Sequence, residues 1–357
     1  MSASAISDIQ RLVECQSPTE DLAACTKVVD LAVEIANKVL STPAKAITEN
    51  GRPVFWWGAA NPKIVLLCHL DTVWPHESFT PTWKIEGDNA KGPGVFDMKA
   101  GFVQALYAVK DIAGAESKVA LVATTDEETG STTSKGLIEK LAKAADAVLV
   151  FESAIDGKVK TGRKGTSMYQ VVVTGKAAHA GLEPEKGINA TVELAKLVLP
   201  ITSLENPALG TTVVPTVMQS GTTTNTVPAQ AKLDIDIRSF TMAELNRVDA
   251  AIKSLKSDTA KVEIIGGINR PPLETSSTLE LYERLEAVAK SLGMPEIGHA
   301  SVGGASDGNL AAAAGAKVLD GLGAVGVGAH APTESLVISS VEPRIKLTTA
   351  FITELLK

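Results

Sequence analysis

The sequence predicts an α/β protein whose catalytic domain contains a doubly wound, mostly parallel sheet and is interrupted by a smaller α+β domain. The first observation is the apolar run KIVLLCHL, which is typical of a strand buried on both faces. The second is that helical segments separate this run from the later apolar runs VALVATT and AVLVFES, which favours parallel strands with crossover helices. The third is a change of pattern after Glu152, where two strands follow each other directly.

The first part of the chain supplies the elements of the parallel sheet. A long helix is predicted after Thr19, because Glu20 and Asp21 suit a helix N-terminus and apolar residues then recur at helical spacing. The extended runs PVFWWG and KIVLLCHL follow this helix. Further helices are predicted at about residues 98–109 and 134–142, each of them directly before a strand.

Residues 165–270 are predicted to form the inserted domain as a βαββαβ unit. Strands are expected in MYQVVVTG, TTVVPTVMQ, AKLDIDIR and KVEII, with helices near residues 188–199 and 245–255. Because the two middle strands are neighbours in sequence, the pattern favours a ferredoxin-like antiparallel sheet with helices on one face. Residues 1–164 and 271–357 then make up one discontinuous catalytic domain, which ends in a helix near residues 345–356.

The composition is that of an ordinary globular protein and argues against binding of nucleic acid. Of the 357 residues, 45% are apolar and 21% are charged, so the chain can bury a sizeable core. The 34 basic and 41 acidic residues leave a formal net charge of −7 and form no basic stripe. Aromatic residues make up only 4% of the chain, which argues against a stacking surface for bases. We therefore expect no nucleic-acid partner.

Cysteine usage and hydropathy predict a cytoplasmic protein that does not enter a membrane. Cys15, Cys25 and Cys68 show no CxxC spacing, which argues against a disulfide framework and against a cysteine-built zinc site. Near the N-terminus, Asp8 and Arg11 interrupt the apolar core that a signal peptide would need. No apolar run approaches the length of about 18 residues that a membrane helix requires.

Two motifs place candidate site residues at the ends of predicted strands. In HLDTV, His69 closes a strand and Asp71 follows two residues later, on the same strand face. A carboxylate in that position can orient the imidazole of a metal-bound histidine. In KGPGVFDMKAG, a glycine-rich loop presents Asp97 at the predicted start of a helix. An ordinary helix N-cap would also explain Asp97, because aspartate is favoured at that position.

Three further motifs supply carboxylates and a second imidazole. TTDEETGS places Asp126, Glu127 and Glu128 after a strand, where three adjacent negative charges repel one another unless a cation lies nearby. A solvated acidic turn is the alternative interpretation. Glu152 follows the next strand, and His330 lies in VGAHAPTE. Since open α/β sheets bind ligands at strand ends, these donors predict a two-metal site suited to Zn²⁺, Co²⁺ or Mn²⁺.

The order of these motifs resembles that of the co-catalytic zinc exopeptidase family. The shared motifs cover nearly the whole chain and are HLDTV, GPGVFDMKAG, TTDEETGS, FESA, KAAHAGLEP, GTTTNTVPA, GASDG and GAHAPTE. The family includes glutamate carboxypeptidase, acetylornithine deacetylase, succinyl-diaminopimelate desuccinylase, aminoacylase and peptidase T. Through Glu152, KAAHAGLEPEKGINA and GGINRPP, the chain is most similar to the glutamate carboxypeptidase branch.

The resemblance implies two Zn²⁺ ions per chain, which Co²⁺ or Mn²⁺ could replace. His69, Asp97 and Glu152 would hold one ion, and Asp97 would bridge to the other. Glu128 and His330 would complete the second set of ligands. The family commonly has a cis peptide bond directly after the bridging aspartate.

The resemblance also assigns catalytic roles. Glu127 would be the general base for a metal-bridged water that attacks an amide carbonyl, and Asp71 would orient His69. His179 would donate to the developing oxyanion, either in its own active site or in that of the partner subunit. The inserted domain would act as a lid and as the surface through which a homodimer forms.

A pocket for a carboxylate is the remaining feature that the resemblance implies. Arg270 is similar to a family residue that binds the substrate α-carboxylate, and a planar guanidinium can bind both carboxylate oxygens at once. Gly303, Gly304 and Ser306 resemble other parts of the same pocket. Asn225 is similar to a residue that reaches the substrate from the lid.

We therefore expect a dinuclear zinc-dependent hydrolase that cleaves an amide or peptide bond next to a C-terminal amino acid in a small-molecule substrate. The same residues would serve an N-acyl amino acid deacylase, because the leaving amine is an amino acid in both reactions. A third interpretation is a catalytically inactive homologue that binds amino-acid derivatives. It is disfavoured because every expected ligand and the expected base are present in the sequence.

Overall fold

The computed structural model describes residues 2–357 and divides into two compact units. The first unit contains the chain up to Gly162, Glu274–Val302 and Ser306–Lys357, and the second contains Arg163–Leu273 and Gly303–Ala305. The helices are α1 (Ser2–Glu14), α2 (Leu22–Val39), α3 (Ala100–Val109), α4 (Lys135–Ala144), α5 (Ala190–Thr202), α6 (Met242–Lys253), α7 (Leu279–Ser291), α8 (Asp307–Ala313) and α9 (Val341–Leu355). The strands are β1 (Lys45–Glu49), β2 (Arg52–Gly58), β3 (Ile64–His69), β4 (Lys84–Glu86), β5 (Asn89–Lys91), β6 (Val119–Thr124), β7 (Ala147–Val150), β8 (Val159–Arg163), β9 (Gly165–Thr174), β10 (Thr212–Ser220), β11 (Gln230–Ser239), β12 (Lys261–Arg270), β13 (His299–Val302), β14 (Val318–Leu319), β15 (Gly326–Val327) and β16 (Ser335–Val337). Within residues 2–357, no helix is long and apolar enough to cross a membrane.

The first unit is built around a six-stranded sheet with the order β1-β2-β6-β3-β7-β14. The strands β6, β3, β7 and β14 run parallel, whereas at one edge β2 pairs antiparallel with β6 and β1 pairs antiparallel with β2. Every residue of β3, β6 and β7 is buried, which explains why their sequences are almost continuously apolar. The predicted α/β class with a mostly parallel sheet is confirmed. Two smaller sheets, β13-β8 and β15-β16-β5-β4, lie outside it.

Helix α3 is the most deeply buried helix of this unit. All ten of its residues are buried, because it packs against the sheet and against α1, α2 and α9. Gly101 lies directly against the carbonyl group of Phe151, where no side chain would fit. Helix α1 is not predicted from the sequence, although its apolar residues Ile9, Leu12 and Val13 belong to the same core.

The turn before α3 differs from the sequence-based expectation. The helix predicted from about residue 98 begins only at Ala100, and Val95–Lys99 form an irregular turn. Asp97 has φ −121° and ψ 94°, and the peptide bond between Asp97 and Met98 is cis. Lys99 is the residue that precedes the helix, so the interpretation of Asp97 as an ordinary N-cap is wrong.

The second unit is a four-stranded antiparallel sheet with the order β10-β11-β9-β12. Both α5 and α6 cover one face, where alternate residues such as Val171, Val173 and Leu233 share a core with the helices. Asn189 and Thr241 cap the two helices by accepting hydrogen bonds from backbone N–H groups of the first turn. This order of elements is the βαββαβ arrangement expected from the sequence.

Candidate metal centre

Parallel strands of the first unit bring several predicted site residues to one edge of the sheet. His69 is the last residue of β3, Glu127 and Glu128 follow β6, and Glu152 lies just beyond β7. Asp97 joins them from the turn before α3. Because β3, β6 and β7 are parallel, their carboxyl ends open at the same edge, where α/β sheets bind ligands.

Asp97 lies between two histidines. Its Oδ1 is 3.3 Å from His69 Nε2, and its Oδ2 is 3.4 Å from His330 Nε2. His69 Nε2 is also 3.5 Å from Glu152 Oε1, and His330 Nε2 is 3.1 Å from Glu128 Oε2. The Nε2 atom of each imidazole therefore faces a different oxygen of Asp97 and one further carboxylate, which is an arrangement suited to two cations that share one carboxylate.

The donor atoms fit a divalent cation. Ligand atoms of His69, Asp97 and Glu128 all lie within 4.8 Å of one another. Glu128 Oε1 is buried and has no hydrogen-bond partner among the described residues. A buried oxygen of this kind is costly in free energy unless a ligand occupies its lone pairs. Imidazole nitrogens combined with carboxylate oxygens suit Zn²⁺ and also Co²⁺ or Mn²⁺.

The histidines and carboxylates of this cluster shift one another's pKa values. Hydrogen bonds to Asp97 and Glu128 raise the pKa of His330 to about 10. Burial disfavours a charged His69, but hydrogen bonds to three neighbouring carboxylates outweigh it and raise the pKa well above its ordinary value. Burial also opposes ionisation of Asp97, yet hydrogen bonds from the two histidines lower its pKa, whereas burial raises the pKa of Glu128. Binding of a metal ion to these imidazoles competes with their protonation.

Asp71 is fully buried and contacts more neighbours than the sequence suggests. His69 Nδ1 lies 3.0 Å from the backbone oxygen of Asp71 and 3.4 Å from its Oδ1. The hydroxyl group of Thr19 donates to Asp71 Oδ2 at 2.8 Å. The backbone N–H groups of Glu127 and Glu128 donate to Oδ1 and Oδ2, at 3.4 Å and 3.2 Å. Asp71 therefore contacts the ring of His69 and also accepts from the first N–H groups of the acidic turn.

The three adjacent carboxylates of the acidic turn have different surroundings. Asp126 is buried, and its Oδ2 accepts from the N–H groups of Thr133 and Ser134 at 2.8 Å and 3.1 Å and from the Thr133 hydroxyl. Glu127 and Glu128 are both partly exposed. Asp126 thus closes the loop, whereas Glu128 lies against His330 of the cluster.

In the second unit, His179 lies in an exposed loop beside the loop that carries Asn225. The N–H group of Ala180 donates to the carbonyl of Asn225 at 2.9 Å. His179 Nδ1 accepts from the N–H groups of Gly181 and Leu182, at 3.1 Å and 3.2 Å. Because Nδ1 acts as an acceptor, the ring proton of the neutral imidazole lies on Nε2, which is then free to donate.

The residues predicted for a carboxylate pocket have contrasting environments. Arg270 ends β12 and is only 5% exposed. Gly303 and Gly304 are exposed and belong to the second unit. Ser306 belongs to the first unit and is buried, and its hydroxyl donates to Asp320 Oδ2 at 2.7 Å. The same hydroxyl caps α8, a role that was not expected from the sequence.

Two buried charged side chains beside the cluster are not among the predicted site residues. Lys160 Nζ lies 4.0 Å from Glu152 Oε2. Glu334 Oε1 accepts from the backbone N–H groups of Phe96 and Asp97 at 3.0 Å and 3.1 Å. The motif GAHAPTE offers a signal for Glu334, because a glutamate there follows a candidate ligand by four positions. The strand sequence VKTGR offers no comparable signal for Lys160.

The sequence is similar to a peptidase family and to known hydrolases. The model of peptidase family M20/M25/M40 matches residues 65–354. Carboxypeptidase G2 of Pseudomonas sp. (strain RS-16) is 33% identical over 318 residues, which cover 84% of this chain and 75% of that protein. A succinyl-diaminopimelate desuccinylase of Nautilia profundicola is 25% identical over 288 residues, which cover 74% of this chain and 77% of that protein.

The fold also has a counterpart among solved structures. Aminopeptidase PepT from Bacillus cereus ATCC 10987 superimposes with a TM-score of 0.78 at 20% identity, covering 100% of this chain and 99% of that chain. At this level of identity the likeness concerns the fold alone. The family model and the relative at 33% identity confirm the resemblance inferred from the motifs, and the chain therefore belongs to peptidase family M20/M25/M40, a family of metal-dependent hydrolases.

Proposed function

We propose that this chain is a dinuclear metal-dependent hydrolase that cleaves the amide or peptide bond before a C-terminal amino acid, as a glutamate carboxypeptidase does. The observation that carries the proposal is the position of Asp97, with one carboxylate oxygen near each of two imidazoles. Glu152 and Glu128 lie against the same two imidazoles, so the donors form two sets around one shared carboxylate. Such a set fits two cations better than it fits one.

We assign the ligands as two groups that share Asp97. His69, Asp97 and Glu152 would hold one ion, and Asp97, Glu128 and His330 would hold the other. Two Zn²⁺ ions per chain are proposed, with Co²⁺ or Mn²⁺ as substitutes that the same nitrogen and oxygen donors accept. When bound, such ions lower the pKa of water and polarise a carbonyl group.

Glu127 is proposed to be the general base. Its side chain is partly exposed at the sheet edge, and its backbone N–H group is held by Asp71. A carboxylate there would take a proton from the attacking water and return it to the leaving amine. Asp71 would keep both Glu127 and the ring of His69 in place for that transfer.

His179 is proposed to donate a hydrogen bond to the carbonyl oxygen as negative charge develops on it. The two backbone N–H groups that bond to Nδ1 support this role, since they leave the proton on Nε2. With this tautomer, a neutral imidazole can donate a hydrogen bond from Nε2 and does not need to be protonated first.

The substrate is proposed to be an N-acyl amino acid or short peptide with a free C-terminal carboxylate. Arg270 would bind both oxygens of that carboxylate, and its low exposure supports a strong interaction. Asn225, Gly303 and Gly304 would add contacts, and Ser306 would shape the pocket through the helix start that it caps. The relative named carboxypeptidase G2 supports a substrate of this class.

An N-acyl amino acid deacylase is the second candidate function. The relative named succinyl-diaminopimelate desuccinylase supports it, because that name describes removal of an acyl group. The leaving amine is an amino acid in both reactions, so the two functions differ only in the acyl group that the site accepts.

We also propose a homodimer that forms through the second unit. The strand β10 lies at the edge of its sheet, and Val214, Val217 and Met218 on this strand are exposed. An edge strand with exposed apolar side chains is suited to pairing with another chain. A cytoplasmic location is proposed on separate grounds, because the three cysteines are free thiols.

A hydrolysis screen tests the proposed function. Metal-stripped protein would be reconstituted with Zn²⁺, Co²⁺ or Mn²⁺ and offered dipeptides and N-acyl amino acids, each with a free or an amidated C-terminus. We expect turnover of substrates with a free carboxylate and a strong loss on amidation. Preference for peptides would identify a carboxypeptidase, and preference for simple acyl groups a deacylase. Absence of turnover in both classes by fully metal-loaded protein would contradict the proposal.

A further inference from the structure

We propose that Glu334 is a positioning residue that holds Asp97 in register with His330, and thereby strengthens binding of the ion that these two residues share with Glu128. The inference rests on the metal ligands assigned under the proposed function. Glu334 is not one of those ligands, and it acts through the backbone of the turn that carries Asp97.

Both carboxylate oxygens of Glu334 are occupied by donors. Oε1 accepts from the backbone N–H groups of Phe96 and Asp97 at 3.0 Å and 3.1 Å. Oε2 accepts from the backbone N–H group of Gly94 at 3.1 Å and from the indole Nε1–H of Trp74 at 2.8 Å. The residue is fully buried, so water does not compete for these bonds. Two of the four donors belong to the turn that carries Asp97, and a third, Gly94, directly precedes it.

One short segment therefore holds Asp97 from two sides. His330 approaches the Asp97 carboxylate, with Nε2 at 3.4 Å from Oδ2. Glu334, four residues later, binds the backbone N–H group of Asp97. Between them the segment forms a tight turn, in which the N–H group of Glu334 donates to the carbonyl of Ala331 at 2.8 Å. The spacing between the Asp97 and His330 side chains thus depends on Glu334.

A second buried charge near Asp97 shows that Glu334 does more than attach the turn to the core. Lys99 Nζ donates to the carbonyl groups of Leu12 and Cys15 at 3.0 Å and 2.9 Å. These bonds tie the turn to the end of α1, whereas the four hydrogen bonds of Glu334 come from Trp74, Gly94, Phe96 and Asp97. The turn therefore has an attachment of its own, and Glu334 adds the connection between Asp97 and the segment of His330.

The affinities for the two proposed ions should depend to different degrees on the connection that Glu334 makes between Asp97 and the segment of His330. For the ion of Asp97, Glu128 and His330, Glu334 sets the relation between two of three ligands. For the ion of His69, Asp97 and Glu152, it touches the backbone of only one ligand. Loss of a partner that orients a metal ligand typically lowers metal affinity by about 10–100-fold. We expect this loss of affinity mainly for the ion proposed to bind Asp97, Glu128 and His330.

Titration of the metal-free protein with Co²⁺ tests the inference. Visible absorption and competition with a chelator give the affinity of each binding step, and a His330→Ala variant identifies the step that involves His330. Glu334→Gln keeps the volume of the side chain but turns one acceptor end into a donor that faces N–H groups. Its matched control is Glu342→Gln, the same change at an exposed glutamate. We expect a loss of about 10–100-fold at the His330 step for Glu334→Gln and none for the control.

Two results with Glu334→Gln would overturn the inference. They are unchanged Co²⁺ affinities, whether or not the unfolding temperature of the metal-free variant falls, and equal weakening of both binding steps. If Glu334→Gln does not fold, Trp74→Phe removes one donor to Glu334 and keeps an aromatic ring, and an unchanged affinity there would overturn it. Wild-type protein that binds no Co²⁺ would instead contradict the ligand assignment of the proposed function.

Discussion

The two units hold their proposed site residues in different ways. In the first unit, His69, Asp97 and Glu128 come from separate parts of the chain, yet their ligand atoms lie within 4.8 Å of one another. In the second unit, His179 and Asn225 lie in exposed loops and are bonded to backbone groups of those same loops. The first arrangement is largely buried, and the second is open to solvent.

This difference indicates a division of tasks. Buried charges that bond one another cannot reorganise without a large cost in free energy, so they suit a centre that must be in place before the substrate arrives. Residues of exposed loops can adjust, which suits recognition of a ligand. Substitutions of the first-unit residues should therefore change metal binding or kcat. In the second unit, substitutions of the proposed substrate-binding residues Asn225 and Arg270 should change KM, whereas substitution of His179, the proposed donor to the oxyanion, should lower kcat.

Removal of metal should have the largest effect, because it disables the first unit as a whole. Dialysis against a chelator is expected to abolish hydrolysis, and about two equivalents of Zn²⁺ or Co²⁺ per chain should restore it. Elemental analysis and activity would be measured on the same samples. Full activity in the metal-free protein, or after addition of far less than one equivalent of metal per chain, would contradict the proposed role of the first unit as a metal centre.

Glu127→Gln should have the next largest effect. An amide cannot accept the proton, so kcat is expected to fall by about 10²–10⁴-fold, while metal content stays at the wild-type level. Steady-state kinetics and elemental analysis of the variant check both statements. Glu116→Gln, at an exposed glutamate, is the control and should behave as wild type. Retention of a tenth or more of the wild-type kcat would exclude Glu127 as the base.

Asp71→Asn should have a smaller effect of the same kind. The amide cannot accept from Thr19 and from the N–H groups of Glu127 and Glu128 at the same time, so the acidic turn and the ring of His69 lose alignment. A decrease in kcat or metal affinity of about 10–100-fold is expected, with KM little changed. A rise in KM alone would show that this buried residue acts in recognition, against the division of tasks.

Arg270→Ala should have the smallest effect and should act on KM. Loss of a charged hydrogen-bond donor to a carboxylate is expected to raise KM about tenfold for substrates with a free C-terminus, and to leave amidated analogues nearly unchanged. The KM of Arg270→Lys for substrates with a free C-terminus should lie between those of the wild type and Arg270→Ala, because an ammonium group cannot bind both carboxylate oxygens as a guanidinium does. Arg284→Ala, which removes an arginine from a surface ion pair with Glu354, serves as control. Equal losses for free and amidated substrates would refute a carboxylate clamp.

The sheet and the order of its motifs could be predicted from the sequence because they depend on local patterns. The apolar runs of β3, β6 and β7 report burial on both faces, and the alternation with helices reports parallel pairing. Since parallel strands end at one edge, the residues that follow them, including His69 and Glu152, were expected to lie together before any distance was known.

The details of the turns could not be predicted in the same way. Asp126, Glu127 and Glu128 are equivalent in a charge pattern, and only the contacts of Asp126 with Thr133 and Ser134 separate it from the other two. The sequence around Asp97 likewise suggests the start of a helix. The observed turn is irregular, and its backbone N–H groups are bound by Glu334, which is distant along the chain.

The sequence by itself determined the class of fold, the family and the set of residue types available for chemistry. Only the tertiary structure decided which carboxylates meet which imidazoles, and that Glu334 binds the turn of Asp97. The physical reason is distance along the chain: Asp97 and Glu334 are 237 positions apart, so no local propensity or spacing records their hydrogen bond. Burial of the folded chain brings the two together and makes every unpaired polar group costly, which is why the contact exists.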